Sequence, residues 1–109
     1  METKVVHLSK EPYDIRIDRS SKFGNPFRIG RDGNRREVIE KFKQWIKGED
    51  FTHFKQRERK LILRNLHQLE GKVLGCWCKP KPCHGDVLVA LIEETEANAM
   101  SEMRAHVDN

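Results

Sequence analysis

Apolar positions recur with two different periods along this chain, and the changes of period divide it into elements. Lys4 to Leu8, KVVHL, is a short β-branched run and predicts a first strand. Glu11-Pro12 marks a turn, after which Tyr13, Ile15 and Ile17 alternate with Asp14, Arg16 and Asp18. That period of two predicts a half-buried strand over Tyr13–Asp18, with Arg16 turned from the apolar face. The period then lengthens. In REVIEKFKQWIK, Val38, Ile39, Phe42, Trp45 and Ile46 form one stripe, while Arg35, Arg36, Glu40, Lys43 and Lys47 face outward. This predicts an amphipathic helix capped by Asp32 or Asn34 and ended by Gly48.

A second helical pattern follows Glu49-Asp50 and runs to about Leu69, with Phe54, Leu61, Ile62 and Leu66 as its buried positions. The alternating charges of KQRERK read as its solvated face. Gly71 stops it, and Lys72 to Cys78 predicts a third strand. The last helix starts near His84 and buries Val87, Leu88, Leu91 and Ile92. Beyond Thr95 the composition turns small, polar and acidic, so the segment either prolongs the helix or frays.

The order β-β-α-α-β-α predicts one small α/β domain over residues 1–95, a layered Rossmann-like sheet with flanking helices. Residues 96–109 form a polar tail or a helix extension. Ligands of such sheets sit at the carboxyl ends of the strands. The loops after Asp18 and after Cys78 are therefore expected on one edge.

Composition narrows the setting. With 109 residues, 37% hydrophobic and 35% charged, the chain has a single core with little to spare. It has no run long enough to span a membrane, and METKVV lacks the apolar stretch of a signal peptide, so a soluble cytoplasmic protein is expected. A net charge of +4 and a pI near 9.1 favour phosphate-bearing partners, nucleotides or nucleic acid. Arg16, Arg28, Arg31, Arg35 and Arg36 are the candidate phosphate contacts of a nucleic-acid-binding module.

The loop Arg19–Arg31, RSSKFGNPFRIGR, is too polar and too rich in Gly, Pro, Ser and Asn for a regular element. It offers hydroxyls from Ser20 and Ser21, an ammonium from Lys22, a close-approach backbone at Gly24 and an amide at Asn25. Phe23 and Phe27 would flank a flat ring or tack the loop to the core. A phosphate- or nucleotide-binding loop is the functional expectation, with Arg19, Ser21, Lys22, Gly24, Asn25, Pro26 and Phe27 as its ligand-binding residues.

The three cysteines cluster in CWCKPKPCHGD, at the end of the third strand and the start of the last helix. An odd number at this spacing fits reduced thiols or a metal better than a secreted disulfide framework. Three readings stand side by side. At a helix N-terminus the Cys83 thiol can be acidified into a nucleophile, with His84 or Asp86 carrying the proton. Asp86 has the competing role of a helix cap. Alternatively Cys76, Cys78, Cys83 and His84 are ligands of a zinc ion, although adjacent Cys-His is tighter than the usual paired knuckles. Lastly, Cys76 and Cys78 share one strand face and would pack as small hydrophobes.

Ser21–Phe27, SKFGNPF, together with Cys76-Trp77-Cys78 and Pro82–Leu88, PCHGDVL, resembles the domain-of-unknown-function family 4326 of bacteria and their phages. The resemblance covers roughly residues 3–93. Phe23 stands where that family more often has Trp, and Gly85 where Ala is common. The Cys-His turn is also distantly similar to family 488, whose Cys-His-Arg loses its arginine here to Gly85. The resemblance implies that the two motifs, with Cys78, form the site; it carries no reaction, and the cofactor stays unknown. The expected function is binding of a nucleotide-like ligand between the Ser21–Phe27 loop and the Cys83–Asp86 helix start. Catalysis by Cys83, His84 and Asp86, a nucleic-acid module, and a zinc-stabilised interaction domain remain open.

Overall fold

The structure, a computed structural model, describes residues 2–107, and side chains as far as residue 97. Strands β1 (Lys4–His7), β2 (Ile15–Arg16) and β3 (Val73–Cys76) form one sheet in the order β1-β3-β2, both outer strands parallel to β3. Helices α1 (Arg35–Ile46), α2 (Gln56–Asn65) and α3 (His84–Val107) complete the fold, with a 3₁₀ turn at Leu66–Leu69 after α2. The α/β class and the element order are those expected from the sequence pattern.

The strands are shorter than the apolar runs because pairing ends where the chain leaves the sheet. Bonds nevertheless continue past β2: Asp14 N–H reaches Val73 O at 2.8 Å and Ile17 N–H reaches Gly75 O at 2.9 Å. The β1-to-β2 connection is unusual. Parallel neighbours on either side of a strand are normally joined through a helix, yet here residues 8–14 alone make the crossing. They pass over Gly75, where a Cβ would meet Tyr13 Cγ at 2.8 Å and Leu8 Cβ at 3.1 Å. Glycine at this position opens the space for the crossover.

On the other face Leu74 and Cys76 are buried among Ile17, Phe42, Trp45 and Leu88, with α3 packed on β1 and on α1. Each such side chain removed from water contributes about 1.5–3 kcal/mol. Helix α1 begins in a capping box: Asn34 Oδ1 accepts Glu37 N–H, and Glu37 Oε1 accepts Asn34 N–H, both at 2.9 Å. Asp32 does not cap α1; it accepts Arg28 N–H at 2.7 Å and pairs with Arg31.

Helix α2 departs from the pattern. Leu61, expected inside, is 42% exposed, and Ile62 is the buried residue of this helix. Arg59 turns inward instead, its Nε donating to the carbonyls of Trp45 at 2.8 Å and Ile46 at 3.2 Å at the end of α1. The charged row closes a helix terminus, so the apolar row beside it is left outside. Asp18 also reverses its expected outward direction and is buried. Helix α3 continues past Thr95 to Val107. No helix among the described residues is long and apolar enough to cross a membrane.

Candidate functional site

The carboxyl ends of the strands bring the two motif loops together around a cavity of about 350 Å³. Its floor is Cys76, the last residue of β3, with Cys83 and His84 at the start of α3. Cys83 precedes the first helical residue and so takes the N-cap position. Its N–H donates to Asp86 Oδ2 at 3.1 Å, and its carbonyl accepts the N–H of Asp86 at 3.0 Å. The Asp86 carboxylate thus supplies one half of a capping box, reaching back from the third helical residue to the N-cap amide.

His84 is held from two sides. Its Nε2 lies 2.9 Å from Ile17 O and 3.0 Å from Phe23 O. Carbonyl oxygens only accept, so Nε2 carries the proton and the lone pair of the neutral ring sits on Nδ1. Burial pushes the imidazole below its ordinary pKa, which keeps it neutral. Phe42 meets the ring edge-on at 5.2 Å. The same two bonds fasten the end of β2 and the SKFGNPF loop to the start of α3.

The thiols differ sharply from one another. The neighbouring Cys83 thiol raises Cys76 far above the ordinary thiol range, with burial adding to the effect. The same interaction lowers Cys83; burial opposes it and the Gly85 amide reinforces it. Cys78, half-buried at the rim, is pushed up by burial while the Arg35 guanidinium pulls it down. Cys83 is thus the cysteine whose thiolate is most accessible in energy. The floor supports two chemistries, a thiolate nucleophile or a thiophilic metal site.

The rim is built by Trp77, which the residue pattern did not single out. It is 53% exposed yet fixed in place: its Nε1–H donates to Asp18 Oδ2 at 2.9 Å, and His7 meets it edge-on at 5.8 Å. Arg16 lies 5.9 Å over its ring and pairs with Asp18 at 2.8 Å. Asp18 also takes the Ser20 hydroxyl at 2.6 Å. Arg19 and Arg35 stand on the cavity wall with Ile29, Val38 and Ile39 as its apolar side. Trp77 lies one residue past the end of β3, where strand alternation no longer dictates its direction, so the pattern carried no signal for it.

The SKFGNPF loop does not turn all its polar groups toward this cavity. Arg19 and Asn25 line it; Ser21, Lys22, Gly24 and Pro26 line a second cavity of about 260 Å³ on the other side of the loop. Lys22, expected to meet a phosphate beside the cysteine turn, instead lies 5.4 Å over the Phe23 ring. Phe23 and Phe27 are core residues. Both polar atoms of Asn25 are engaged, Nδ2 donating to Val38 O at 3.1 Å and Oδ1 accepting Phe27 N–H at 2.9 Å. Gly24 permits the loop to fold onto the backbone before it, where a Cβ would meet Arg19 Cα and Asp18 O at 2.8 Å. Asp86 lies outside the cavity, capping α3 and paired with Lys79 at 2.7 Å. Of the arginines weighed for nucleic acid, Arg28 and Arg31 border the second cavity, Arg35 borders the first, Arg36 is exposed and borders neither, and Arg16 and Arg31 are paired with Asp18 and Asp32.

A curated relative, an uncharacterised 12.4 kDa protein from the nrdA-td intergenic region of Enterobacteria phage T4, is 37% identical over 90 residues, covering 82% of this chain and 76% of its own. No solved structure matches the chain. The family model described as Domain of unknown function (DUF4326) matches residues 3–94, which takes in both motifs and every residue of the cavity. The chain belongs to that family.

Proposed function

We propose that the cavity binds a nucleotide or a nucleotide-derived phosphate ligand, its base against Trp77 and its phosphate toward Arg19 and Arg35. The observation that carries this reading is the pairing of a half-exposed, immobilised indole with two arginines around a cavity of about 350 Å³. That volume falls within the roughly 300–1,000 Å³ usual for small-molecule pockets. A ring held by hydrogen bonds loses little freedom on stacking, and base–aromatic stacking contributes about 1–3 kcal/mol. Arg19 and Arg35 enter no ion pair among the described residues, so their charge is available to an anion. Ile29, Val38 and Ile39 give the slot its apolar side, and Cys83 and His84 lie beneath it. The phosphate contact thereby moves from Lys22 to the arginines.

Calorimetric titration with nucleosides and with nucleoside mono- and diphosphates tests the reading. Phosphorylated ligands are expected to bind more tightly than the bare nucleosides. A folded chain that takes up none of them, and carries no nucleotide-sized adduct in a native mass spectrum, rules it out.

One observation favours a second reading, binding of a polynucleotide. The second cavity gathers Arg19, Lys22, Arg28, Arg31 and Lys55, and shares Arg19 and Asn25 with the first. A backbone following these cations would give an affinity that falls with salt by about 0.9 per phosphate contact on logarithmic axes. A flat salt response excludes it.

A further inference from the structure

We infer that Cys76, Cys83 and His84 form a three-ligand site for a thiophilic divalent metal, zinc by preference, with a fourth coordination position open to the cavity. The donor atoms of these residues lie within 4.8 Å of one another, and all three residues are buried. A zinc ion with Zn–S near 2.3 Å and Zn–N near 2.0 Å sets its donors about 3.5–4 Å apart. Donor-atom shifts of about 1 Å close the difference.

Three features make this a built site. The first is the histidine. A metal-binding imidazole needs its second nitrogen tied to an acceptor, which fixes the tautomer and aims the lone pair. His84 has this arrangement, since Nε2 is committed to Ile17 O and Phe23 O and the lone pair is left on Nδ1. Two carbonyls from separate segments serve one proton, an investment that a packing histidine does not require.

The second feature is charge. Two thiolates and a neutral imidazole around a divalent ion sum to zero, so the buried position acquires no net charge. Metal binding releases the thiol protons to solvent, and no oxidant or reductant is needed. The third is shape. Cys76, Cys83 and His84 share one face, the cavity, while Phe42 closes on the ring of His84 from the side. Three protein ligands and an open side describe a metal site that accepts water or a ligand atom, unlike the closed four-ligand sites that only hold a fold together. Cys78 is not part of the set. It stands at the rim against Arg35, outside the cluster.

This inference does not depend on the nucleotide reading, and its test uses the metal alone. Zinc content is measured on the reduced, full-length chain, which is then stripped and titrated with Co²⁺. About one metal per chain is expected, with the thiolate charge-transfer absorption and strong visible bands of four-coordinate cobalt. Cys83→Ala and Cys76→Ala should abolish these bands, and Cys78→Ser should leave them intact. Because the alanine variants can lose the fold, alkylation of the wild-type chain supplies a second readout. Zinc should protect Cys76 and Cys83 and leave Cys78 reactive. A folded wild-type chain that gives no cobalt–thiolate spectrum overturns the site. Bands that disappear in Cys78→Ser overturn the open position by making Cys78 the fourth ligand.

Discussion

Trp77 donates its indole N–H to Asp18 Oδ2 across 2.9 Å, joining the loop after β3 to the end of β2. The bond holds one wall of the cavity at a fixed distance from the other. It also explains why a carboxylate sits inside: Asp18 receives Arg16, Ser20 and Trp77 at once.

Those partners, Arg16 foremost and with burial opposing, hold the Asp18 carboxyl well below the usual carboxylate range. A depressed native pKa stabilises the fold above the unfolded value of about 3.9 and is lost as pH falls toward the native one. The melting temperature of the wild type is therefore expected to drop on acidification below about pH 4. Asp18→Asn should be less stable at neutral pH and show a shallower acid limb. Equal acid limbs in thermal melts of the two proteins would remove Asp18 from the account.

Asn25 joins the SKFGNPF loop to α1 through Val38 O and to itself through Phe27 N–H. Asn25→Ala strands both groups away from water and is expected to cost about 2–4 kcal/mol. Urea unfolding measures the loss. Asn25→Asp keeps the acceptor for Phe27 but sets a buried carboxylate oxygen against Val38 O, so at neutral pH it should cost at least as much as alanine.

How far this was readable beforehand varies along the chain. The α1 stripe was plain because Val38, Phe42, Trp45 and Ile46 answer to a single period. The meeting of the Asp18 and Cys78 loops followed from the rule that ligand loops gather at the carboxyl ends of strands in such sheets, while the strand order β1-β3-β2 did not. Two kinds of feature were not legible. Trp77 projects from a strand end, and only the position of Asp18 decides whether such a side chain is held or free. Lys22 and Arg19 sit three residues apart in one irregular loop, and nothing periodic says that Lys22 belongs to the second cavity alone. Leu61 was misplaced because Arg59 claims the inward position through the carbonyls of α1.

Trp77→Ala should weaken nucleotide binding by about 1–3 kcal/mol, the value of one stacked base. Calorimetry is the suitable measurement, because the substitution removes the indole at the site and leaves only the buried Trp45 as a tryptophan fluorophore. Trp77→Phe retains a stacking ring without the bond to Asp18, so it should preserve most of the affinity while lowering stability by about 1–2 kcal/mol.

The two sides of the loop separate by substitution. Arg35→Ala is expected to reduce affinity for phosphorylated ligands and leave that of bare nucleosides near the wild-type value. Lys22→Ala, which faces the second cavity, should change small-ligand binding by no more than about 0.5 kcal/mol. A large loss from Lys22→Ala in the same titrations would transfer the phosphate to the second cavity.

The central strand of the sheet is its last in sequence: Lys4 pairs with Val73, and Ile15 with Leu74. During synthesis neither β1 nor β2 can find a partner until residues 73–76 have left the ribosome, whereas α1 and α2 need only local bonds. Pairings this distant in sequence carry a high closure cost and form late. The cysteine turn and the start of α3 come next off the ribosome, so the nascent chain closes its sheet and its cavity in one terminal event.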